Sequence, residues 1–418
     1  MLKSALKCGS SHRCGATLFT GFRAAQQTAK KTQFLVLLPL FASLERLSRL
    51  VDITYCVGTT GVSKPFSCAS RCKDFPTLQL VRTWNTGILM SDSCGYIAVD
   101  HSPDFTQRGL VVAFRGTYSL TNTIVDLSTV PQEYVPYPED PDDSENGGEK
   151  RKNKCNNCTV HMGFMESWRV AREVVLPALK AAREKHPGYP VRLVGHSLGG
   201  AVAALAAMEL KVGLEWEDVT VTTFGEPRIG NQGLADYLDE AFGLKDCNET
   251  SSGGREDLTY RRVTHTGDPV PLLPLTEWGF RSHAGEVFIT KSDLQPAPED
   301  LRICYGDNDP ECLGGAEADT NTRDWLGWVI GRAKKEKQKL VSTPVLEEED
   351  EEGKTSGKVM TTGFPARFKL WQLLFAHRDY FWRLGLCLPG GDPVDWGREK
   401  YNVTLDHNDN EHDEIRDL

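Results

Sequence analysis

The stretch Val191-Arg192-Leu193-Val194-Gly195-His196-Ser197-Leu198-Gly199-Gly200 decides the fold of this chain. Its first part is a short apolar run that ends at a glycine, which indicates a buried strand. Residues 201–210 are rich in alanine and apolar on nearly every side, as in a fully buried helix. Between them lies the pattern G-x-S-x-G, which places its serine on a sharp, strained turn above the edge of a sheet.

Ser197 is either an exposed nucleophile or a serine that only caps the following helix. The short pattern alone arises by chance too easily to decide between them. The strand before it and the buried helix after it favour a nucleophile. Gly195 and Gly199 fit this interpretation, because side chains at these positions would collide where strand and helix pack closely.

The composition excludes several classes of protein. A chain of 418 residues with ordinary apolar and charged fractions is typical of a globular protein with one or two domains. Its formal net charge of −10 argues against a nucleic-acid partner. The longest apolar run, Phe34 to Leu44, contains a proline and is too short to span a bilayer. We therefore expect no transmembrane segment.

Cysteines and glycosylation sequons favour an oxidising compartment. Two of the 12 cysteines lie near the amino terminus, and the others form an even set, which favours disulfides. Cys155 and Cys158 could begin a zinc site, but no second pair with suitable histidines follows, so we expect no metal and no cofactor. Sequons occur at Asn157, Asn248 and Asn402. The expected location is extracellular or in the secretory pathway.

The chain is expected to consist of a leader, one domain and a tail. Residues 1–39 are a leader or targeting segment, basic and without acidic residues, which is more typical of an organellar transit peptide than of a secretory signal. A late signal core or a wrongly assigned start is the alternative. A single domain is predicted over 40–390, with polar insertions at about 139–154 and 305–363. Residues 391–418 form a polar acidic tail.

The remaining pattern predicts an α/β fold. Runs of β-branched and apolar residues predict strands at 95–100, 109–114, 219–224 and 258–264, and helical spacing predicts a helix at about 163–185. This alternation indicates a mainly parallel central sheet flanked by helices.

The stretch 120–137 has an apolar helical face formed by Leu120, Ile124 and Leu127. Beside an active site such a segment can be a movable lid. A fixed surface helix fits the pattern equally well.

An activated serine needs a base within hydrogen-bond reach and an acid that orients the base. Asp268 lies in a glycine–proline turn just after the strand at 258–264, where the acid of such a site is required. An ordinary Asp-Pro turn is the alternative. The strand at 109–114 ends in a glycine turn, so Thr117 can offer a backbone N–H to an oxyanion, and Leu198 can offer another. An ordinary turn residue is the alternative for Thr117.

His283 and His377 compete for the role of base. His283 precedes the strand-like segment 286–289, so it lies where that strand begins. Catalytic groups of parallel sheets gather at the opposite, carboxyl ends of the strands. His377 follows an apolar run and precedes aromatic residues late in the chain. We therefore expect His377 to be the base and His283 to contribute mainly to stability.

From Leu40 to Pro389 the chain resembles the class 3, fungal-type lipases and feruloyl esterases, which carry the same motifs in the same order. The motifs are FRGT (114–117), VHMGF (160–164), GHSLGGA (195–201), TFGEPRIGN (223–231), HTGDPVPLLP (265–274), HAGEVFI (283–289) and AHRDYF (376–381). The resemblance implies an α/β-hydrolase fold and a secreted serine esterase. It also implies that Ser197 is the nucleophile, Asp268 the acid and His377 the base. Thr117 and Leu198 are then the two oxyanion-hole residues.

The same resemblance implies three disulfides, Cys56–Cys387, Cys68–Cys72 and Cys304–Cys312. It offers no counterpart for four further cysteines, Cys94, Cys155, Cys158 and Cys247.

Three functions remain open at this stage. The first is hydrolysis of lipid esters, with acylglycerols as the expected substrate at a lipid–water interface, because a lid with an apolar face suits such an interface. The second is a feruloyl or other soluble-ester carboxylesterase. The third is an inactive lipase-like binding protein, which should lack a triad residue, and none is missing. The sequence fixes neither acyl-chain length, nor regiospecificity, nor oligomeric state.

Overall fold

The structure, a computed structural model, describes residues 38–87, 92–117, 127, 134–136, 155, 157–244, 258–304, 309–313 and 375–397. The predicted insertion at 139–154 lies outside these residues, as do most of the leader, of the insertion at 305–363 and of the tail. None of the described helices is both long and apolar enough to cross a membrane.

The strands, in chain order, are β1 (Val62–Ser63), β2 (Ser67–Cys68), β3 (Leu78–Asn85), β4 (Cys94–Asp100), β5 (Gly109–Phe114), β6 (Tyr134–Pro136), β7 (Thr159–His161), β8 (Val191–His196), β9 (Val219–Phe224), β10 (Gly230–Asn231), β11 (Tyr260–His265), β12 (Phe280–Arg281), β13 (Glu286–Ile289), β14 (Leu301–Ile303), β15 (Asp379–Tyr380) and β16 (Trp382–Arg383). The longer helices are α1 (38–54), α2 (Met162–Lys185), α3 (Leu198–Met208) and α4 (Gln232–Ala241). Short 3₁₀ turns lie at Arg71–Asp74, Val270–Leu272, Thr276–Trp278, Pro298–Asp300 and Pro393–Asp395, and a π-helical turn lies at Glu209–Gly213.

Eight of the described strands form the central sheet, in the order β14-β13-β11-β9-β8-β5-β4-β3. The five strands β5, β8, β9, β11 and β13 run parallel to one another in the middle of the sheet. The edge strands β3, β4 and β14 pair antiparallel. Because parallel strands end at the same edge, the loops after β5, β8, β9 and β11 all leave from one side of the molecule.

Helices cover both faces of this sheet. Alternate residues of β5 point to opposite faces. Leu110 and Val112 therefore join the hydrophobic core formed with α2, α3 and α4. Val111 and Ala113 join a second core formed with α1 and the carboxy-terminal residues 380–384. The architecture is a mainly parallel sheet between helical layers, as expected of the α/β-hydrolase fold.

The predicted strands and helices are largely confirmed. The helix expected at 163–185 is α2, and it continues through Pro177. The strand β3 was not predicted, because a bulge between Leu80 and Arg82 breaks the alternation of its side chains. Within 120–137, the structure describes Leu127, which is buried, and residues 134–136, which form β6 rather than helix. Movement of this stretch stays a prediction.

The described residues contain four disulfides. Three are the pairs implied by the family resemblance, Cys56–Cys387, Cys68–Cys72 and Cys304–Cys312. The fourth joins Cys155 to Cys158, for which no partner was expected. Cys94 is buried and free, and Cys247 lies outside the described residues.

The disulfide Cys56–Cys387 joins residues 331 positions apart, whereas Cys68 and Cys72 are separated by 4. A crosslink that closes a longer loop removes more conformational freedom from the unfolded chain. We expect the double variant Cys56→Ser/Cys387→Ser to lose about 2–5 kcal/mol of stability. Cys68→Ser/Cys72→Ser is the control and should lose less. Denaturant unfolding curves without reductant measure both, and equal losses would contradict the loop-length argument.

Candidate active site

The candidate nucleophile lies on a strained turn between β8 and α3. Ser197 has φ 57° and ψ −131°, a conformation that is costly for a residue with a side chain. A Cβ on Gly195 would lie 2.2 Å from the carbonyl oxygen of Gly199, and a Cβ on Gly199 would lie 2.5 Å from that of Phe114. Both positions therefore require glycine. The Ser197 side chain makes no capping hydrogen bond to the helix, so its hydroxyl does not serve as a cap.

The candidate acid and base form a hydrogen-bonded pair. Asp268 follows β11 in the predicted turn. The Nδ1 atom of His377 lies 2.9 Å from Oδ1 and 2.8 Å from Oδ2 of this carboxylate. Because an ionised carboxylate only accepts hydrogen bonds, Nδ1 carries the proton, and Nε2 of a neutral ring is then left as a proton acceptor. This is the tautomer that a general base requires.

The surroundings of Asp268 keep it ionised although it is fully buried. Burial alone would raise its pKa, but the charge of His377 and the hydrogen bond from His377 outweigh this effect. The Tyr380 hydroxyl also donates to Oδ2, and the Val270 N–H donates to Oδ1 at 2.9 Å. The pKa of Asp268 is therefore lowered from its ordinary value.

The Ser197 and His377 side chains have unused polar atoms. Ser197 Oγ and His377 Nε2 are buried, and neither has a hydrogen-bond partner among the described residues. Both adjoin the end of β9: the N–H of Ser197 donates to the carbonyl oxygen of Phe224 at 2.9 Å, and a Cβ on Gly225 would lie 2.7 Å from the imidazole of His377. Buried polar atoms are almost always paired in folded proteins. Two such atoms at one end of the sheet are consistent with a site for a reacting group.

The candidate oxyanion-hole residues adjoin the serine. Thr117 follows β5 through Gly116, and a Cβ on Gly116 would lie 2.9 Å from the Cβ of Ser197. Leu198 is the first residue of α3, so its N–H belongs to the positive end of the helix dipole. The Thr117 hydroxyl is buried and has no partner among the described residues. The loop after β5 thus passes against the nucleophile, and the oxyanion-hole roles of Thr117 and Leu198 stay predictions.

His283 lies in a different environment from His377. Its Nε2 atom is 3.0 Å from Oε1 of Glu226, and its Nδ1 atom is 2.8 Å from the carbonyl oxygen of Ala284. The other carboxylate oxygen of Glu226 accepts hydrogen bonds from Thr223 at 2.6 Å and from Tyr260 at 2.8 Å. Both ring nitrogens of His283 therefore face acceptors, and neither can accept a proton from a serine.

Three residues of the site were not predicted from the sequence. Tyr380 donates to Asp268, and it is the third residue after His377 in the AHRDYF motif, where only its aromatic character was noted. The ring of His196, which directly precedes the nucleophile, stacks on that of His377 with centroids 4.6 Å apart. Tyr55 contacts His196 from a position 141 residues earlier, and no local pattern indicates such a contact.

The described residues offer no obvious metal site. No group of three or more His, Cys, Asp or Glu side chains in the described residues could hold a metal ion. The Cys155 and Cys158 thiols, once considered as zinc ligands, are joined to each other. The absence of a cofactor stays a prediction.

Comparison with known proteins agrees with the fold and shows the family of the chain. The family model "Lipase (class 3)" matches residues 111–278. The chain is 58% identical over 376 residues to "Secreted mono- and diacylglycerol lipase 2" of Gibberella zeae, covering 87% of this chain and 86% of that protein. It is 53% identical over 415 residues to "Lipase A" of Sodiomyces alcalophilus, covering 96% of this chain and 93% of that protein.

Among solved structures, the Lip2 lipase from Yarrowia lipolytica matches with a TM-score of 0.60 and 28% identity, over 82% of this chain and 94% of that chain. The fold is therefore that of the α/β-hydrolases. Within that class, the extent of identity to the curated lipases shows that the chain belongs to the class 3 lipase family.

The two histidines can be distinguished by substitution. We expect His377→Ala to lower kcat by a factor of about 10⁴ with little loss of stability, because it removes the atom that accepts the serine proton. His283→Ala should instead destabilise the fold by about 3–5 kcal/mol, because it removes the ring that contacts the fully buried Glu226 carboxylate at 3.0 Å. Parallel assays and melting curves measure both effects. Near-normal turnover of His377→Ala would overturn the assignment.

The lowered pKa of Asp268 gives the stability a pH dependence with a definite sign. Its ionised form is favoured in the folded state, so it contributes stability that is fully present above the unfolded-state pKa of about 3.9. That contribution is lost as the pH falls through the lower folded-state pKa. The difference in melting temperature between the wild type and Asp268→Asn should stay constant from about pH 5 to 8 and shrink below about pH 4. A difference that grows in acid would contradict the ionised assignment.

Proposed function

We propose that this protein is a serine lipase that hydrolyses the carboxylic esters of acylglycerols through an acyl-enzyme. The single observation that carries the proposal is the pair Asp268–His377, whose unused Nε2 atom is buried beside the strained turn of Ser197. Membership of the class 3 lipase family supports the reaction class. The relatives named for mono- and diacylglycerols support the substrate class.

In the proposed mechanism, Nε2 of His377 takes the proton of Ser197 Oγ as the oxygen attacks the ester carbonyl. The N–H groups of Thr117 and Leu198 hold the negative charge that develops on the carbonyl oxygen. The imidazolium then returns its proton to the departing glycerol oxygen, which leaves the acyl group on Ser197. Water repeats the sequence and releases the fatty acid. Asp268 keeps the ring in the correct tautomer and stabilises its charged form throughout.

We also propose that the protein acts outside the cell, as a single domain over 40–390, and at a lipid–water interface. Four disulfides among the described residues support an oxidising compartment, as do relatives named as secreted. Of the three sequons, Asn157 is exposed in a turn with φ 55°, a position that an attached glycan can occupy without displacing the core.

The substrate proposal is tested with emulsified mono- and diacylglycerols against soluble esters, including methyl ferulate. We expect the wild type to hydrolyse the acylglycerols faster, with a rise in rate above their solubility limit. Ser197→Ala should hydrolyse neither substrate and should not react with a fluorophosphonate probe, because no other side chain can take the acyl group. Faster hydrolysis of the soluble feruloyl ester would favour the carboxylesterase alternative. Labelling that persists in Ser197→Ala would place the nucleophile elsewhere.

A further inference from the structure

Two buried hydrogen bonds join Tyr55, the residue before the nucleophile and the main chain of the base, and the Tyr55 hydroxyl also lies against the oxyanion loop. The hydroxyl of Tyr55 lies 2.6 Å from Nδ1 of His196, and Nε2 of His196 lies 2.7 Å from the main-chain oxygen of His377. The same hydroxyl packs against the backbone of Gly116. Tyr55 is 2% exposed and both histidines are fully buried, so water does not compete for these bonds.

The direction of each hydrogen bond in this chain is determined. The carbonyl oxygen of His377 can only accept, so Nε2 of His196 carries a hydrogen. Burial and the neighbouring His377 lower the pKa of His196 to about 3, which keeps its ring neutral and leaves Nδ1 as an acceptor. Burial raises the pKa of Tyr55, so its hydroxyl keeps its proton and donates it.

These hydrogen bonds and the packing contact at Gly116 connect the groups whose relative position matters for acyl transfer. Gly116 precedes Thr117, the proposed oxyanion donor, and a Cβ on Gly116 would lie 2.5 Å from the hydroxyl oxygen of Tyr55. His196 precedes Ser197 directly. The third contact is to the main chain of the proposed base, which enters the site 181 residues after His196.

The neutral ring of His196 has a second consequence. Its plane is 30° from that of His377, with ring centroids 4.6 Å apart. His377 must become positively charged when it takes the serine proton, and a second charge at this distance would oppose that step. By donating to Nδ1, Tyr55 fixes His196 in the neutral tautomer that the charged form of His377 tolerates.

We propose that Tyr55 and His196 are positioning residues, which together hold the main chain of the base and the oxyanion loop in register with the nucleophile. No proton travels through them during the reaction. The proton moves only between Ser197 Oγ, His377 Nε2 and the departing or attacking oxygen. This inference rests on the proposed roles of Ser197 and His377, and it concerns how those groups are held.

The test is Tyr55→Phe, which removes one hydroxyl and keeps the ring. The matched control is Tyr96→Phe: Tyr96 is equally buried, and its hydroxyl donates at 2.8 Å to the main-chain oxygen of Leu50, outside the chain of bonds described above. Hydrolysis of p-nitrophenyl butyrate gives kcat and KM, and titration with a fluorophosphonate counts the competent sites. A soluble ester is used so that the result does not depend on acylglycerol preference.

We expect Tyr55→Phe to lower kcat per titrated site by about 10- to 100-fold, because the base and the oxyanion loop, which Tyr55 holds in place, both act on the transition state. KM should stay within about twofold of the wild type. Tyr96→Phe should keep the wild-type kcat, even if its melting temperature falls by as much as that of Tyr55→Phe. Equal kcat values for the two variants, or a change confined to KM, would overturn the proposal.

A second variant covers the case in which Tyr55→Phe does not fold. His196→Asn keeps an acceptor near Nδ1 but is too short to reach the main chain of His377, so it should lower kcat similarly. In the double variant the two losses should not multiply, since either change alone interrupts the same chain of bonds. Independent, multiplying losses would overturn the proposal. A wild type active on the soluble ester but silent on acylglycerols would overturn the proposed substrate instead.

Discussion

The strained turn at Ser197 is the constraint on which the rest of the site depends. A backbone with φ 57° costs free energy, and it persists only because its surroundings allow no alternative. All of α3 is buried. Its first turn packs so closely against β8 and the end of β5 that neither Gly195 nor Gly199 leaves room for a side chain. Core packing therefore holds the serine, and the same packing brings the N–H of Leu198 to its side.

The second constraint acts over a long distance, because the proposed base comes from the end of the chain. The segment after His377 is fastened to α1: Trp382 Nε1 donates to the buried carboxylate of Glu45 at 2.6 Å, and the rings of Phe381 and Phe41 meet edge to face at 5.0 Å. The disulfide at Cys387 joins the same segment to the loop after α1. Thus α1 contributes no proposed catalytic atom, yet it determines where the base lies.

How much could be predicted from the sequence follows from the range of each signal. The turn at Ser197 and the turn at Asp268 are encoded by contiguous residues, so local patterns found them. The contact of His377 with Asp268 spans 109 residues, and its prediction rested on where each histidine lies relative to the strands and on family resemblance. The contact of Tyr55 with His196 has no local signal and was missed. Sequence patterns therefore predicted the elements better than the contacts between their ends.

Three buried histidines show why residue type alone does not assign a site. His196 uses both ring nitrogens and stays neutral, while His283 presents both ring nitrogens to acceptors. His377 gives Nδ1 to Asp268 and keeps Nε2 unused beside Ser197. Since all three are fully enclosed, burial does not distinguish them. The difference lies in the partner of each nitrogen, and only the ring with one nitrogen held and the other unused, next to a strained serine, has the arrangement that general-base catalysis requires.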